Sequence, residues 1–225
     1  NRAVGEVWTI SQCSEVDRGI YLKDDLLILR DETAIVLLSK NDLQIKGKHN
    51  VENAMGAALV AYLYGVSIEK IIERMKTFQG VSHRMEFVAN IDNITYINDS
   101  KGTNVESTLK AIDSFNNDII MILGGDDKKI DNTELVKRIA EKVERVYLIG
   151  DNAPLLINDM EKINYKNYKN LETLENVLNY IKENEDFEKD QTILFSPATS
   201  SFCQFRSFEH RGKVFKELTV KILGN

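Results

Sequence analysis

Two polar clusters of this sequence combine a lysine with small residues that leave backbone N–H groups accessible. The first, NDSKGTN at residues 98–104, contains Asp99, Lys101 and Thr103 just ahead of a helical pattern. The second, GGDDKK at residues 124–129, follows an apolar run and includes Lys128. A lysine and free N–H groups at a helix start can hold a phosphate or a carboxylate, and an aspartate can accept from a ribose hydroxyl. Polar turns are also common as purely structural elements, so neither cluster identifies a ligand by itself.

A third cluster is the hydroxyl-rich loop SPATSSF at residues 196–202. The apolar segment TILF precedes it, and large apolar residues recur behind it at helical spacing: Phe205, Phe208, Phe215, Leu218 and Ile222. We therefore expect a strand that opens into a polar cradle, with a long amphipathic helix beginning where the hydroxyls end. Such a cradle at a helix N-terminus is suited to an anion.

Two further clusters offer groups for a nucleotide. In GKHNVENAMGA, His49, Asn50 and Asn53 crowd the start of a helix, where amides can cap the helix or pair with the edge of a base. In SHRME, Arg84 follows His83 at a change of hydrophobic pattern. An arginine there commonly forms a surface salt bridge, and its functional alternative is a bidentate contact to phosphate.

The elements that position these clusters change character near Gly80. Residues 4–45 alternate short apolar runs with turn-like pairs, which predicts two or three antiparallel strands. A small-residue helix from about Asn50 to Gly65 follows, and then a second helix with Ser67 as its N-cap. Residues 1–80 therefore predict a partial α/β unit, because a few strands and two helices form a poor domain alone.

Residues 81–225 have the pattern of a complete α/β domain. A hairpin that turns at Asp92-Asn93 opens it. Predicted helices at 104–115, 133–143, 152–160 and 173–181 alternate with predicted strands at 119–123, 146–149, 165–168 and 192–195. This alternation predicts a Rossmann-like, doubly wound, mostly parallel sheet covered on both faces. Ligands bind at the carboxyl ends of strands in such sheets, and three of the clusters fall there.

The composition limits the possible partners. The chain has 225 residues, 43% of them hydrophobic and 28% charged, with a net charge of −6 and scattered basic residues, so we expect neither nucleic acid nor a membrane as partner. Cys13 and Cys203 lie far apart without metal-ligand spacing, which indicates a reducing compartment. No signal-peptide pattern opens the chain. We expect a cytoplasmic monomer and, since the chain begins with Asn1, a piece of a longer protein.

The motifs HNVEN, HRME, NDSKGTN, LGG and SPATSSF…FEHRG, in this order, resemble the Mur ligase family of ATP-dependent amide-bond-forming enzymes. The resemblance extends from about residue 45 to the C-terminus. Ligases of this family have three domains, for the nucleotide sugar, for ATP and for the incoming amino acid. The resemblance implies that residues 1–80 are the second half of the ATP-binding domain and that residues 81–225 are the amino-acid-binding ligase domain.

The resemblance also implies a role for each candidate residue. Asn50 and Asn53, with His49 beside them, resemble the residues that hold adenine. Arg84, Asp99 and Lys101 resemble groups that reach the ribose and phosphates, with Lys101 and Arg84 as the catalytic electrostatic groups. The remaining candidates resemble the amino-acid pocket: Thr103, Lys128, Ser201, Phe202 and Phe208.

Within the family, the motifs are most similar to those of ligases that add D-glutamate to UDP-N-acetylmuramoyl-L-alanine in peptidoglycan synthesis, a step of cell-wall growth and cell division. ATP would phosphorylate the alanine carboxylate, and the amine of D-glutamate would attack the acyl phosphate. Mg²⁺ and cationic side chains would stabilise the transferring phosphoryl group.

The sequence departs from the family pattern in three ways. Asp127 and Lys129 stand where a further glycine is expected, and Cys203 stands where the family usually has aspartate. There is no G-x-x-x-x-G-K-[ST] phosphate loop, nor the upstream residues that hold Mg²⁺, so no metal ligand is predicted here and the chain alone is expected to be inactive. Two alternatives remain: a stand-alone nucleotide- or amino-acid-binding module, and a ligase similar to folylpolyglutamate synthase, against which the SSF…FEHRG ending speaks.

Overall fold

A computed structural model describes residues 5–45, 47–116, 119–184 and 190–224 of the chain. It separates into two compact units, Asn1–Gly80 and Val81–Asn225, each of which is described by itself. Within the described residues, no helix has the length and apolar character that crossing a membrane requires.

The first unit consists of a four-stranded sheet and two helices. Its strands run in the order β1-β2-β3-β4, and its helices follow them. The bounds are β1 Thr9–Ser11, β2 Gly19–Lys23, β3 Leu26–Arg30, β4 Ala34–Ser39, α1 Lys48–Leu63 and α2 Ile68–Thr77, with a short 3₁₀ helix at Lys40–Asp42. The two helices and the antiparallel strands are confirmed, since β2, β3 and β4 pair in this way, whereas the additional strand β1, which pairs with β2 in parallel, was not predicted.

The core of the first unit lies between one face of this sheet and the two helices. Leu27 and Leu29 on β3 pack with Met55 on α1 and Ile71 on α2. Ser67 occupies the N-cap position of α2, as predicted, although its side chain makes no capping hydrogen bond. Burial of one apolar face, rather than capping, is therefore what holds α2 in place.

The second unit is built on a six-stranded sheet in the order β5-β6-β10-β7-β8-β9. Its strands are β5 Glu86–Ile91, β6 Ile94–Asn98, β7 Ile119–Gly124, β8 Val143–Ile149, β9 Tyr168–Glu172 and β10 Gln191–Phe195. Only β5, which pairs with β6, runs antiparallel to its neighbour. The predicted mostly parallel sheet is confirmed, whereas the weak strand expected at 165–168 begins only at Tyr168.

The opening hairpin of this sheet turns where the sequence predicted. Asp92 and Asn93 have φ angles of 51° and 64°. Two consecutive left-handed residues are typical of the type I′ turn, whose twist matches that of the paired strands.

Helices cover both faces of this sheet, so the doubly wound architecture is confirmed. Their bounds are α3 Val105–Asp113, α4 Thr133–Lys142, α5 Ala153–Lys162, α6 Leu174–Asn184 and α7 Phe208–Leu218, and a π-helical turn at Thr219–Leu223 follows. Residues of α3, α4 and α5 pack into one core cluster, and residues of α6 and α7 pack into the other. Every residue of β7 is buried, which explains the continuous apolar run IIMIL.

Candidate functional site

Three loops of the second unit meet at one edge of its sheet. Strand β10 lies between β6 and β7, and Phe195 at its end is in register with Asn98 on one side and Ile122 on the other. The loops at 99–104, 196–207 and 125–132 therefore leave the sheet side by side. These loops contain most of the predicted site residues, so the sequence-based expectation that they share one edge is confirmed.

The loop at 99–104 is fastened to the preceding HRME segment. The Lys101 N–H donates to the His83 carbonyl at 2.9 Å, and the Met85 N–H donates to Asp99 Oδ1 at 3.2 Å. Both Arg84 and Lys101 are exposed. Two cations predicted to act on phosphate are thus carried by segments that are bonded directly to each other.

A buried polar network holds the HRME segment in its conformation. Asn98 Nδ2 donates to His83 Nδ1 at 3.0 Å, to Glu86 Oε2 at 3.1 Å and to the Gly212 carbonyl at 3.3 Å. Because His83 Nδ1 accepts, the neutral imidazole carries its proton on Nε2. Burial lowers the pKa of His83, and the opposing charge of Glu86 does not reverse that effect. His83 is therefore a neutral support for Arg84.

Asp99 is an internal residue of this edge. It is 4% exposed, and its second oxygen, Oδ2, accepts from Ser196 Oγ at 2.7 Å. Burial raises the pKa of Asp99 to about 6, although hydrogen bonds from Ser196 and Met85 act to lower it. A Cβ on Gly102 would lie 2.6 Å from both Asp99 Oδ2 and Ser196 Oγ. In this structure Asp99 joins the loops after β6 and β10, so its predicted contact with ribose stays a prediction that requires these bonds to open.

The hydroxyl-rich loop after β10 faces inward, which corrects the expectation of an open cradle. Four of its hydroxyl-bearing residues are buried: Ser196, Thr199, Ser200 and Ser201. Thr199 Oγ1 donates to the Asp126 carbonyl at 2.8 Å, and Ser200 Oγ donates to the Asp126 carboxylate. By contrast, Phe202 is 71% exposed. The hydroxyls of Ser196, Thr199 and Ser200 thus bind the loop to its neighbours.

Helix α7 begins later than the spacing of its apolar residues predicted. Phe205 lies in the loop, and the helix starts at Phe208, with Ser207 Oγ accepting from the His210 N–H at 3.2 Å. The predicted cradle is therefore separated from the helix N-terminus by the turn at 202–207. Phe208 is half-buried at the start of the helix, and Lys101 Nζ lies 5.7 Å from its ring centroid.

Two glycines make the turn after β7 possible. Gly124 and Gly125 have φ angles of 116° and 157°. A Cβ on Gly125 would collide with the Ser200 carbonyl oxygen, and one on Gly124 would collide with the Ile149 carbonyl oxygen. The close approach predicted for a ligand at these glycines is thus made by the chain's own backbone. Beyond them, Lys128 is exposed on an irregular segment.

Asp126 is the anchor of the loop after β10, and the sequence did not reveal it. Its carboxylate accepts from the Phe202 N–H at 3.1 Å, from the Cys203 N–H and from Ser200 Oγ. Partial burial acts to raise the pKa of Asp126, but the hydrogen bonds from Ser200 and Cys203 outweigh it, and the pKa lies below its usual value. Cys203 contributes a backbone N–H to this anchor, and burial raises the pKa of its thiol to about 11.

Arg211 is the second residue that the sequence did not reveal. Its side chain is fully buried behind the same loops. A signal was present, because Phe208, Arg211, Gly212 and Phe215 follow the i, i+3, i+4, i+7 spacing of one helix face. An arginine on the apolar face of a helix needs hydrogen-bond acceptors in the protein interior. Its position in this pattern therefore indicates polar groups where the helix packs against the rest of the unit.

The candidate adenine residues lie on α1 in the first unit. The helix begins at Lys48 with Gly47 as its N-cap, so His49, Asn50 and Asn53 are within its first turns and do not cap it. His49 and Asn50 are half-buried, whereas Asn53 is exposed and its Nδ2 lies 3.5 Å from Asn50 Oδ1. The contact of these amides with the edge of a base stays a prediction.

The exposed cations and the carboxylates bear on the ATP and Mg²⁺ that the family resemblance implies. Exposed Arg84 and Lys101 have the charge that phosphate oxygens require. However, no group of three or more histidine, cysteine, aspartate or glutamate residues that could hold a metal ion occurs in the part of the chain that the structure describes. No magnesium site is therefore assigned to these residues.

A comparison with protein families identifies a match to the model described as "Mur ligase, glutamate ligase domain" over residues 83–199. Two relatives carry the name UDP-N-acetylmuramoylalanine–D-glutamate ligase. The one from Caldanaerobacter subterraneus subsp. tengcongensis is 37% identical over 221 residues, and the one from Fusobacterium nucleatum subsp. nucleatum is 39% identical over 218 residues. They match 98% and 96% of this chain, which spans 48% and 49% of their own lengths. The chain thus spans about half the length of these relatives.

Solved structures share the fold at low sequence identity. The folylpolyglutamate synthase of Thermotoga maritima superposes with a TM-score of 0.61 at 19% identity, over 92% of this chain and 48% of that one. The MurF ligase of Thermotoga maritima, solved in complex with ADP, gives a TM-score of 0.54 at 14% identity, over 92% of this chain and 46% of that one.

Proposed function

Because the chain belongs to the Mur ligase family, we propose that it is the C-terminal part of an ATP-dependent ligase that adds D-glutamate to UDP-N-acetylmuramoyl-L-alanine. The observation that carries the proposal is the position of exposed Lys101 and Lys128, which follow the two strands on either side of β10. The names of the two relatives support D-glutamate as the incoming amino acid. The whole protein would then act in peptidoglycan synthesis in the cytoplasm.

The proposed chemistry divides the exposed cations between two ligands. D-Glutamate carries two carboxylates, which are best held by a cation and by N–H donors. Lys128 is our candidate for one carboxylate, and Thr103 with the Ser201–Phe202 segment lies on the other two loops. Lys101 and Arg84 would stabilise charge on the phosphoryl group, since a positioned cation lowers the energy of a developing anion.

We propose that the rest of the ATP site belongs to other residues of the whole protein. ADP is bound in the MurF ligase structure that shares this fold. Here, Asn50 and Asn53 are the candidates for adenine, with His49 beside them, while Mg²⁺ and the phosphate loop would be held elsewhere. It follows that this chain alone has no ligase activity and that its role is to deliver the amine.

An NMR titration of the chain with D-glutamate tests the amino-acid site. Amide signals of Thr103, Lys128 and Ser201 should shift, with millimolar affinity at best, about −4 kcal/mol. Lys128→Ala should weaken binding by about 10-fold or more, because a hydrogen bond between two charged groups contributes roughly 1.5–3 kcal/mol. Lys129→Ala, which removes the next exposed lysine of the same loop, serves as the matched control and should bind like the wild type.

Other outcomes would contradict the proposal. If wild-type signals stayed unchanged at tens of millimolar D-glutamate, or if shifts were confined to other residues, the edge would not be the amino-acid site. If Lys128→Ala and Lys129→Ala lost the same affinity for D-glutamate, the loss would reflect net charge and not a specific contact of Lys128. Tighter binding of L-glutamate would favour a ligase similar to folylpolyglutamate synthase.

A further inference from the structure

Arg211 is a cation enclosed within the second unit. It lies on α7, its side chain is 0% exposed, and it donates to oxygen atoms of two different loops. Nε donates to Ser100 Oγ at 3.0 Å and Nη2 donates to the Ser100 carbonyl at 2.9 Å. On the other side, Nη1 donates to the Ser200 carbonyl at 3.0 Å and Nη2 to the Thr199 carbonyl at 3.1 Å.

These bonds tie together the loops that carry the candidate amino-acid residues. Ser100 belongs to the loop that contains Thr103, and Ser200 immediately precedes Ser201. The Ser100 hydroxyl continues the connection, because it donates in turn to the Phe208 carbonyl at 2.8 Å. The third loop also abuts the guanidinium, since a Cβ on Gly125 would lie 3.1 Å from Arg211 Nη1. One side chain thus bonds to two of the loops and lies next to the third.

The shape of the guanidinium, not its charge alone, matches this arrangement. None of the four bonded oxygens is a carboxylate, so the direct partners of Arg211 are carbonyl and hydroxyl dipoles, and the charges of Asp126 and Asp99 act on it without a hydrogen bond. A planar fork can reach acceptors on both sides at fixed angles, whereas an ammonium group of lysine presents its donors from one point. An arginine at the surface would be hydrated and would need none of these oxygen atoms. An apolar side chain at this position would form no hydrogen bonds to them.

We infer that Arg211 is a positioning residue of the amino-acid site: it fixes the loop at 99–104 relative to the loop at 196–207 without touching the ligand itself. For the identity of the ligand, this inference rests on the function proposed above. The geometric part of the inference, that one guanidinium couples the two loops, stands independently of any ligand.

The first test compares Arg211→Lys with Phe215→Leu by amide NMR of the chain. Phe215 lies on the same helix, is equally buried and packs against the Phe195 ring, so its substitution disturbs the core without removing a loop contact. In Arg211→Lys, amide signals should shift in both loops, at Lys101 and Thr103 and also at Ser201 and Phe202. In Phe215→Leu these four signals should stay close to their wild-type positions.

The second test titrates the same proteins with D-glutamate. Arg211→Lys should bind at least about 10-fold more weakly although it keeps the positive charge, because misplaced contact groups lose much of their effect. Phe215→Leu should bind like the wild type even if its melting temperature falls as far as that of Arg211→Lys. A merely structural role of Arg211 would lower the melting temperature of both variants and leave the affinity of both unchanged.

Each remaining outcome decides a separate point. Wild-type affinity in folded Arg211→Lys, or amide shifts in only one loop, would overturn the inference. Absence of binding by the wild type would contradict the proposed function, and the amide shifts would then decide the coupling of the loops. If Arg211→Lys did not fold, Ser100→Ala, which removes the hydroxyl that accepts from Nε and donates to the Phe208 carbonyl, should shift the same signals in both loops. Shifts confined to 99–104 would overturn the inference.

Discussion

Replacement of Asp99 by asparagine should stabilise the second unit at neutral pH. Asp99 is buried, and its pKa is raised to about 6 by that burial. An asparagine has the same shape, so its Oδ1 can accept from the Met85 N–H while its Nδ2 donates to Ser196 Oγ. The Ser196 hydroxyl is then free to donate to Thr108 Oγ1, which lies 2.9 Å away. Asp99→Asn therefore removes a buried charge while keeping its hydrogen bonds.

The size and sign of the effect follow from proton linkage. In the unfolded chain Asp99 has a pKa of about 3.9, whereas in the folded chain the value is about 6. Between these values the folded state binds more protons, so stability falls as the pH rises from about 4 to 6 and is constant above. The difference of roughly two units corresponds to about 3 kcal/mol of unfolding free energy lost by the wild type at neutral pH.

Urea unfolding at pH 4 and pH 7.5 measures this effect. The methyl signal of Met121 on buried β7 reports on the second unit, whereas the single tryptophan, Trp8, lies in the first. Relative to the wild type, Asp99→Asn should gain about 2.5 kcal/mol between the two pH values, because about half of the unfolded carboxyl groups are already ionised at pH 4. Asp127→Asn on an exposed residue is the control and should gain almost nothing. A difference that does not change with pH, or a marked loss of stability at pH 7.5, would refute the reasoning and indicate that the Asp99 charge is needed beside Arg211.

Two further substitutions probe the same loops. Asp126→Asn should accelerate hydrogen exchange of the Phe202 and Cys203 amides by about 10- to 100-fold, because it weakens charge-assisted hydrogen bonds worth roughly 1.5–3 kcal/mol. Asp127→Asn is the control. Unchanged exchange in Asp126→Asn would exclude Asp126 as the anchor of the loop. Gly102→Ala should lower the unfolding free energy by about 1–3 kcal/mol, since its Cβ would overpack Asp99 and Ser196. Gly56→Ala, whose Cβ would meet only Ile10 Cδ1 at 3.9 Å, should be neutral or stabilising in denaturant unfolding. If Gly102→Ala and Gly56→Ala changed the unfolding free energy by the same amount, overpacking at Gly102 would be excluded as the cause.

Much of the fold was predictable because the hydrophobic periods are strong. The run IIMIL is apolar throughout, as expected for a strand buried on both faces, and its neighbours follow a helical period. The parallel pairing of β1 was not predictable, because a strand of three residues contains no signal for its direction. The start of α7 was misplaced since Phe205 continues the helical spacing of Phe208 and Phe215 while lying in the preceding loop.

The candidate site was predictable in its location but not in its internal bonding. That the loops after β6, β7 and β10 share one edge follows from the alternation of strands and helices. The partners of the hydroxyls do not follow, because Ser196 bonds to Asp99 across 97 residues and Ser200 to Asp126 across 74. A sequence displays the hydroxyl groups of a loop but not whether their acceptors are a ligand or the chain itself.

The charges at this edge form an inner and an outer set with different consequences. Arg211 on α7 and Asp99 are buried, and Asp126 is partly buried; burial lowers the pKa of Arg211 to about 10, although the charges of Asp126 and Asp99 act to raise it. Lys101 and Lys128 are exposed on the same two loops that contain Asp99 and Asp126. Since Ser201 is only 2% exposed, a carboxylate arriving from solvent would meet the exposed lysines before it met this residue. Substitutions of the inner set should therefore change loop geometry and stability first, whereas substitutions of the outer set should change affinity in a fold that stays intact.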